Sequence, residues 1–109
     1  MIYLASPYSD PDSAVMEQRF DAVCRKAGQL MQAGHVVYSP IAHCHPIAVR
    51  VDLPREWTFW ERFDREMLRN ARELWILKLP GWQTSTGVTA ERRIATELGI
   101  PVRDIEPDL

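Results

Sequence analysis

Residues 73–105, ELWILKLPGWQTSTGVTAERRIATELGIPVRDI, contain the pattern that decides the fold. The apolar run at 73–79 predicts a buried strand that ends at Pro80 and Gly81. A polar loop follows, and then a helix with apolar residues at helical spacing, which Gly99 ends. The run at 100–105 predicts a further strand. A strand, a helix and a strand in this order indicate two parallel strands joined by a covering helix.

The rest of the chain repeats this alternation of strands and helices. The predicted elements are a strand at 1–6, a helix from Asp12 or Ser13 to Ala33, a strand at 35–41, an irregular loop at 42–54 and a helix begun by Pro54 that runs through 71. The resulting order, β-α-β-α-β-α-β, predicts a single α/β domain over residues 1–109. A parallel sheet of four or five strands would lie between two layers of helices.

The composition is that of an ordinary globular domain: 109 residues, 46% hydrophobic and 26% charged, with a formal charge of −2. This balance offers no basic surface for duplex DNA or RNA, so a nucleic-acid polymer is not an expected partner. No apolar run approaches the roughly 20 residues that span a bilayer, and MIYLASPYSD does not read as a signal peptide. We therefore expect a cytoplasmic protein that has no membrane partner and whose two cysteines are free thiols.

Two carboxylates occupy helix positions where apolar side chains are expected. Glu91 lies three residues after Val88 and four before Ala95, at the centre of the apolar face of its helix. Asp64 lies in the same way between Trp60 and Met67, inside a stripe that also includes Phe63. Burying a carboxylate is costly unless partners compensate, so both acids are candidate functional groups. The alternative is that each reaches water or an arginine at the rim of the sheet.

Three segments should lie at the ligand-binding edge of the predicted sheet. Parallel sheets bind ligands beyond the carboxyl ends of their strands, which selects residues 6–12, 40–54 and 79–87. Thr84 to Gly87 precede a helix and offer hydroxyls and backbone N–H groups suited to phosphate, although such a cluster also serves as a helix cap. His43-Cys44-His45 lacks the paired spacing of a zinc site, so no metal ligand is assigned, and either histidine is a candidate for a base pocket.

The motifs YLASPYS (3–9), SPIAH (39–43) and LPGWQTSTGVTAE (79–91) resemble the nucleoside 2-deoxyribosyltransferase superfamily, and in particular its small bacterial members. The resemblance spans the whole chain. It implies a flavodoxin-like three-layer fold, no cofactor, and an enzyme that cleaves or exchanges the N-glycosidic bond of nucleosides or nucleoside 5′-monophosphates. It also implies a homo-oligomer, a dimer or larger. Members of the superfamily commonly continue past the last strand to complete a neighbour's site, whereas this sequence stops at Leu109.

The resemblance assigns roles to individual positions. Glu91, four residues after Gly87, matches the nucleophile, and Asp64 matches an acid that contacts the base or sugar. Ser85, six residues before the glutamate, and Ser6 match serines on the phosphate side, where Thr86 and Gly87 would also bind substrate. The tyrosine beside the nucleophile matches either Tyr3 or Tyr8. Tyr8 is preferred as the catalytic residue because it lies on a loop, and Tyr3 is kept with His43 as a substrate-binding residue.

Two other functions remain open at this stage. LPGWQTSTGVTAE also distantly resembles the glycine-rich motif of phosphoribohydrolases, which release free base from nucleoside monophosphates. A domain of this fold could instead bind a nucleotide without turning it over. Arg19, near the 6–12 loop, is a candidate for pairing with phosphate, although a solvated helix face is the preferred expectation. Trp57, Phe59 and Trp60 are candidates for core or dimer contacts and for stacking on a base.

Overall fold

The computed structural model describes residues 1–108; Leu109, the last residue of the predicted domain, lies outside the described residues. Its elements in chain order are β1 (Ile2–Ala5), α1 (Ser13–Gln32), β2 (Val37–Tyr38), α2 (Pro40–Val51), α3 (Trp57–Arg69), β3 (Glu73–Leu77), α4 (Thr86–Leu98) and β4 (Val102–Ile105).

The strands form one parallel sheet in the order β2-β1-β3-β4. Ile2 of β1 pairs with Val37 on one side and with Glu73 on the other, and Leu74 of β3 pairs with Val102. The predicted α/β class and parallel sheet are confirmed, and the architecture is that of a single-domain flavodoxin-like fold. The chain leaves β1 towards β2 and returns to place β3 on the opposite side of β1, so strand order reverses between β1 and β3.

The sheet separates two apolar clusters because successive strand residues point to opposite faces. Tyr3 and Ala5 of β1 belong to the cluster that α3 and α4 cover, together with Leu68 and Ile94. Leu4 and its neighbour Ile2 point the other way and join the cluster that α1 covers. The first strand is therefore buried on both faces, as its unbroken apolar run predicts.

The predicted irregular loop at 42–54 is wrong, because most of this segment is helix α2. Ser39 caps the helix by accepting a hydrogen bond from the Ala42 N–H at 3.1 Å, and Pro40 occupies the first turn, where a missing N–H costs nothing. Asp52 ends the helix in the left-handed conformation, with φ at 54°. The internal Pro46 obscured this helix in the sequence, since proline usually breaks a helix.

Several element boundaries and two helix-face assignments also differ from the prediction. The second strand has two residues rather than seven, and α3 begins at Trp57 rather than at Pro54. Phe63 and Leu98, expected on buried faces, are 42% and 40% exposed. Phe63 lies at the edge of its apolar stripe, where a small error in helix phase moves a side chain into solvent, and Leu98 is the last residue of α4, where the helix leaves the sheet.

Candidate active site

A pocket of about 630 Å³ lies at the carboxyl edge of the sheet, where β1 and β3 end side by side. Open parallel sheets bind ligands at such a reversal of strand order. The three segments selected from the sequence all contribute to the lining, through Ser6–Asp10, α2 and Gly81–Gly87. A further contribution comes from the start of α3 and from the residues before it.

Glu91 reaches this pocket from the second turn of α4. The helix begins at the pocket because Ser85 caps it, its Oγ accepting a hydrogen bond from the Val88 N–H at 3.2 Å. Glu91 is only 4% exposed and lines the pocket, as its position on the apolar face predicts. The hydroxyl of Tyr3, from the neighbouring strand β1, donates a hydrogen bond to Oε2 of Glu91.

Asp64 of α3 is the second buried acid of the pocket, at 8% exposed. Burial raises the pKa of Asp64 to about 7, and hydrogen bonding from Tyr3 opposes that shift. Burial, followed by the charge of Asp64, raises the pKa of Glu91 well above its ordinary value, and the Tyr3 hydroxyl again acts in the opposite direction. The two acids therefore hold a proton at a pH where isolated carboxyl groups have lost theirs.

The tyrosine beside Glu91 is Tyr3, so the preference for Tyr8 in that position is wrong. Tyr3 is fully buried in the middle of β1, and its ring lies against Tyr38 with 5.9 Å between ring centroids. Tyr3 meets Glu91 beneath the pocket lining because its side chain lies on the face of the sheet that α3 and α4 cover. Burial and the adjacent Glu91 raise the pKa of Tyr3 well above its usual range, which keeps the hydroxyl protonated as a donor.

Another part of the pocket carries groups suited to an anion. Ser85, Thr86 and Gly87 line it at the N-terminus of α4, where first-turn N–H groups lack helical acceptors. Ser6 is 5% exposed, and its Oγ has no hydrogen-bond partner within residues 1–108.

Arg19 also lines the pocket, contrary to the solvated face expected for it. It donates to the carbonyl oxygens of Tyr8, Ser9 and Pro80 at 3.0–3.3 Å, which leaves its positive charge uncompensated by those contacts.

Of the two histidines that were candidates for a base pocket, only one lines the pocket, and it is not His43. His43 is exposed and does not line the pocket; its ring lies 6.2 Å from that of Tyr38. His45, 7% exposed, lines the pocket instead and contacts the hydroxyl of Tyr8. His43 and His45 are two residues apart, a rotation of about 200° around a helix, so recognising this segment as a helix would have placed them on opposite faces. Sequence reasoning did not identify Glu17, which also contacts His45.

Aromatic side chains cover part of the remaining wall. Trp57 and Trp60 both line the pocket from the first turn of α3, whereas Phe59 does not. The indole N–H of Trp60 donates to the carbonyl oxygen of Pro54 at 2.7 Å, which anchors that ring to the preceding loop. The two tryptophans thus present flat apolar surface beside the buried acids, in a position that suits a planar ligand.

Within residues 1–108, no cluster of three or more histidine, cysteine, aspartate or glutamate side chains is arranged to hold a metal ion. Over the same residues, no helix combines the length and the apolar character required to cross a bilayer.

Comparison with known proteins adds a family to this description. A search of the curated proteins finds no match. A comparison with protein-family profiles matches residues 1–106 to the family described as "Domain of unknown function (DUF1937)". Because the match covers nearly the whole sheet, its helices and every pocket residue, this chain belongs to the DUF1937 family.

Proposed function

We propose that this protein cleaves or transfers at the N-glycosidic bond of a nucleoside or nucleoside 5′-monophosphate, with Glu91 as nucleophile. The observation that carries the proposal is a buried carboxylate, oriented by a tyrosine hydroxyl, next to a second carboxyl group in a pocket at the sheet edge. The resemblance to the nucleoside 2-deoxyribosyltransferase superfamily supports the same chemistry on independent grounds, since it was drawn from sequence motifs alone.

In the first half of the reaction, a carboxylate oxygen of Glu91 forms a bond with the anomeric carbon. The C–N bond breaks, and its electron pair leaves with the base. The base then takes a proton from Asp64, whose pKa of about 7 leaves that proton available near neutrality. The hydroxyl of Tyr3 donates to Glu91 and so favours the charged form of that carboxyl group, which a nucleophile requires. The product is a covalent glycosyl-enzyme, as in retaining glycosidases.

The anion-binding part of the pocket favours nucleotides over nucleosides. Within residues 1–108, the hydroxyl of Ser6 has no hydrogen-bond partner and Arg19 contacts only carbonyl oxygens, while Ser85 and Thr86 lie at a helix N-terminus. A 5′-phosphate satisfies these groups together, because phosphate accepts many hydrogen bonds and helix N-termini favour negative charge. Trp57 and Trp60 would then stack against the base.

The test is to incubate the protein with each common ribo- and deoxyribonucleoside and its 5′-monophosphate, and to follow free base by liquid chromatography. We expect base release that disappears in Glu91→Gln and persists in Glu97→Gln. Glu97 provides the matched control because it lies on α4 but is exposed, where it accepts a hydrogen bond from Arg65. Added free base distinguishes transfer from hydrolysis.

The same experiment separates the alternatives. Saturable nucleotide binding without base release would favour a binding module, in which Glu91 accepts hydrogen bonds from sugar hydroxyls. Base release without a covalent sugar adduct on the Glu91 peptide, sought by mass spectrometry after rapid quenching, would favour a phosphoribohydrolase-like hydrolysis. For the proposed mechanism, the rate should fall as pH rises through about 7, because Asp64 then loses the proton that the base requires.

A further inference from the structure

A chain of three side chains connects the pocket to solvent on the side of α1 and α2. The hydroxyl of Tyr8 lies 2.5 Å from Nδ1 of His45, and Nε2 of the same ring lies 2.9 Å from Oε2 of Glu17. Tyr8 and His45 line the pocket, whereas the Glu17 side chain is 66% exposed. These three hydrogen-bonded side chains therefore connect the interior of the site to bulk water. The mechanism above, based on Glu91 and Asp64, uses none of these groups.

The position of each proton in this chain follows from its acceptors. A carboxylate can only accept, so the Nε2–H of His45 donates to Glu17. In the neutral ring, Nδ1 is then the acceptor, and the Tyr8 O–H donates to it. The remaining lone pairs of the Tyr8 oxygen are left for a ligand in the pocket. The ring of Phe20 stacks on His45, with 4.3 Å between centroids and 28° between planes, which holds the imidazole in this orientation.

The other titratable groups near Tyr8 come from separate elements. Arg55 precedes α3, Cys44 lies on α2 and Glu17 lies on α1. Burial raises the pKa of Tyr8, and Arg55 opposes that shift. Burial also raises the pKa of the Cys44 thiol to about 11, so this cysteine stays protonated and does not compete for the transferred proton near neutrality. His45 is thus the acceptor to which the Tyr8 proton is directly hydrogen-bonded.

We propose that Glu17, His45 and Tyr8 form a proton relay that serves the second half of the glycosyl transfer, an inference that rests on the proposed function. The acceptor is water, whose oxygen forms a bond with the anomeric carbon; a second base would instead return its proton to Asp64, in the reverse of the first half. The ester C–O bond breaks and returns its electron pair to Glu91. The acceptor's proton passes to the Tyr8 oxygen while the Tyr8 proton passes to Nδ1 of His45. The resulting imidazolium is paired with the Glu17 carboxylate.

Coupling the two transfers explains why three residues are used. A tyrosine alone is a poor base here, because losing its proton in a partly buried position would leave an unfavourable phenolate. If His45 accepts the first proton as the second one arrives, Tyr8 remains neutral throughout. Tyr8 is then the residue that contacts the substrate, and His45 and Glu17 are positioning residues that act through it.

The first test is a measurement of the imidazole ¹⁵N resonances of the intact protein near pH 7.5, assigned to His45 by comparison with His45→Gln. We expect a protonated Nε2 and an unprotonated, hydrogen-bonded Nδ1. A ring protonated on Nδ1 alone would overturn the relay. This measurement does not depend on turnover, so it stands whether or not the glycosidic reaction is found.

The second test separates the two halves of the reaction in Tyr8→Phe. We expect the first burst of base release to persist while steady-state turnover falls about 10²-fold or more, the usual size of acid–base catalysis. Glu17→Gln keeps the acceptor oxygen but removes the charge that stabilises the imidazolium, so steady-state turnover should fall while the first burst persists. His35→Asn, an exposed histidine outside the pocket, should change neither.

The outcomes distinguish the relay from the reaction that it serves. Unchanged steady-state turnover in Tyr8→Phe, in a protein whose wild type releases base, would overturn the relay alone. Absence of base release by the wild type would overturn the proposed function and the catalytic role of the relay with it. A loss of the burst together with turnover would place Tyr8 in the first half of the reaction and refute the assignment made here.

Discussion

Replacing Asp64 by asparagine should stabilise the protein at alkaline pH, because it removes a charge that the native state buries. The pKa of Asp64 is raised from 3.8 to about 7 on folding, so the native state binds this proton more tightly than the unfolded chain does. At pH values between 3.8 and about 7, Asp64 is ionised in the unfolded chain but keeps its proton in the native state. The free energy of unfolding therefore falls as pH rises through this interval and levels off above about pH 7.

The magnitude follows from the size of the shift. A shift of about 3 pKa units corresponds to about 4 kcal/mol over the whole interval, at 1.36 kcal/mol per unit. Between pH 5 and pH 8.5 the Asp64 contribution to the free energy of unfolding should change by about 3 kcal/mol, the part of the interval above pH 5. Water entering the pocket reduces this value. Glu91, whose pKa is also raised, adds a decline of the same sign.

The assay is urea unfolding of the wild type and Asp64→Asn at pH 5 and at pH 8.5, followed by far-UV circular dichroism. The variant should gain stability relative to the wild type on going from pH 5 to pH 8.5, by up to about 3 kcal/mol. Glu66→Gln is the matched control on α3. It removes an exposed carboxylate that pairs with Arg69, so its difference from the wild type should be small at both pH values.

Taking the difference between variant and wild type cancels the groups whose pKa is the same in both proteins. Glu91 is not one of these groups, because the charge of Asp64 raises its pKa, and the smaller shift in the variant adds to the relative gain in stability. An Asp64→Asn effect that is equal at the two pH values, within about 0.5 kcal/mol, would mean that Asp64 titrates normally. The argument from burial would then be refuted, and the proton assigned to Asp64 in the proposed reaction would be lost as well.

Three further predictions concern single side chains. Tyr3→Phe should lower the rate of base release about 10-fold to 100-fold, because it removes a hydrogen bond to Glu91 worth roughly 1.5–3 kcal/mol. That hydrogen bond lowers the pKa of Glu91, so its loss should shift the pH dependence of the rate upward. An unchanged pH–rate profile would remove Tyr3 from the site. Ser6→Ala should weaken binding of a nucleoside monophosphate, measured by calorimetry, but not of the nucleoside. It should leave the melting temperature unchanged or higher, since Ser6 Oγ has no partner in the described residues; equal weakening of both ligands would contradict the phosphate assignment. The expected homo-oligomer would bury exposed aromatic side chains such as Phe63 at its interface. Phe63→Asp should then lower the molar mass measured by light scattering. A wild-type protein that is already a monomer would contradict this prediction.

The fold was largely predictable because its signals are local and repeated. Each strand of the 73–105 unit is a short apolar run, and the helix between them has a capping serine and a terminating glycine. The alternation of strands and helices then restricts the sheet to parallel pairing. The prediction was wrong for α2, which contains an internal proline and the polar sequence His-Cys-His, because local helix propensity is low there. The cap at Ser39 and tertiary packing stabilise this helix in spite of its low propensity.

The residues of the candidate site that could be predicted are those whose polarity differs from that of their neighbours on the same helix face. Glu91 and Asp64 could be found from the sequence because a charged residue on an apolar face is an exception that helical periodicity exposes. Tyr3 and His45 could not be found in the same way. A tyrosine in a buried strand and a histidine in a helix are both compatible with simple packing, and nothing local marks them as members of a site.

The amino-acid sequence by itself determined most of the helices and strands and which acids are buried, since each depends on spacing along a single helix or strand. It also selected the edge of the sheet at which the pocket lies, because parallel strands end at one edge. Only the tertiary structure decided which groups meet: Tyr3 with Glu91, 88 residues apart, and His45 with Glu17 and Tyr8. The reason is that a hydrogen bond between distant residues depends on how helices pack on the sheet to within about an ångström, and no local pattern carries that information.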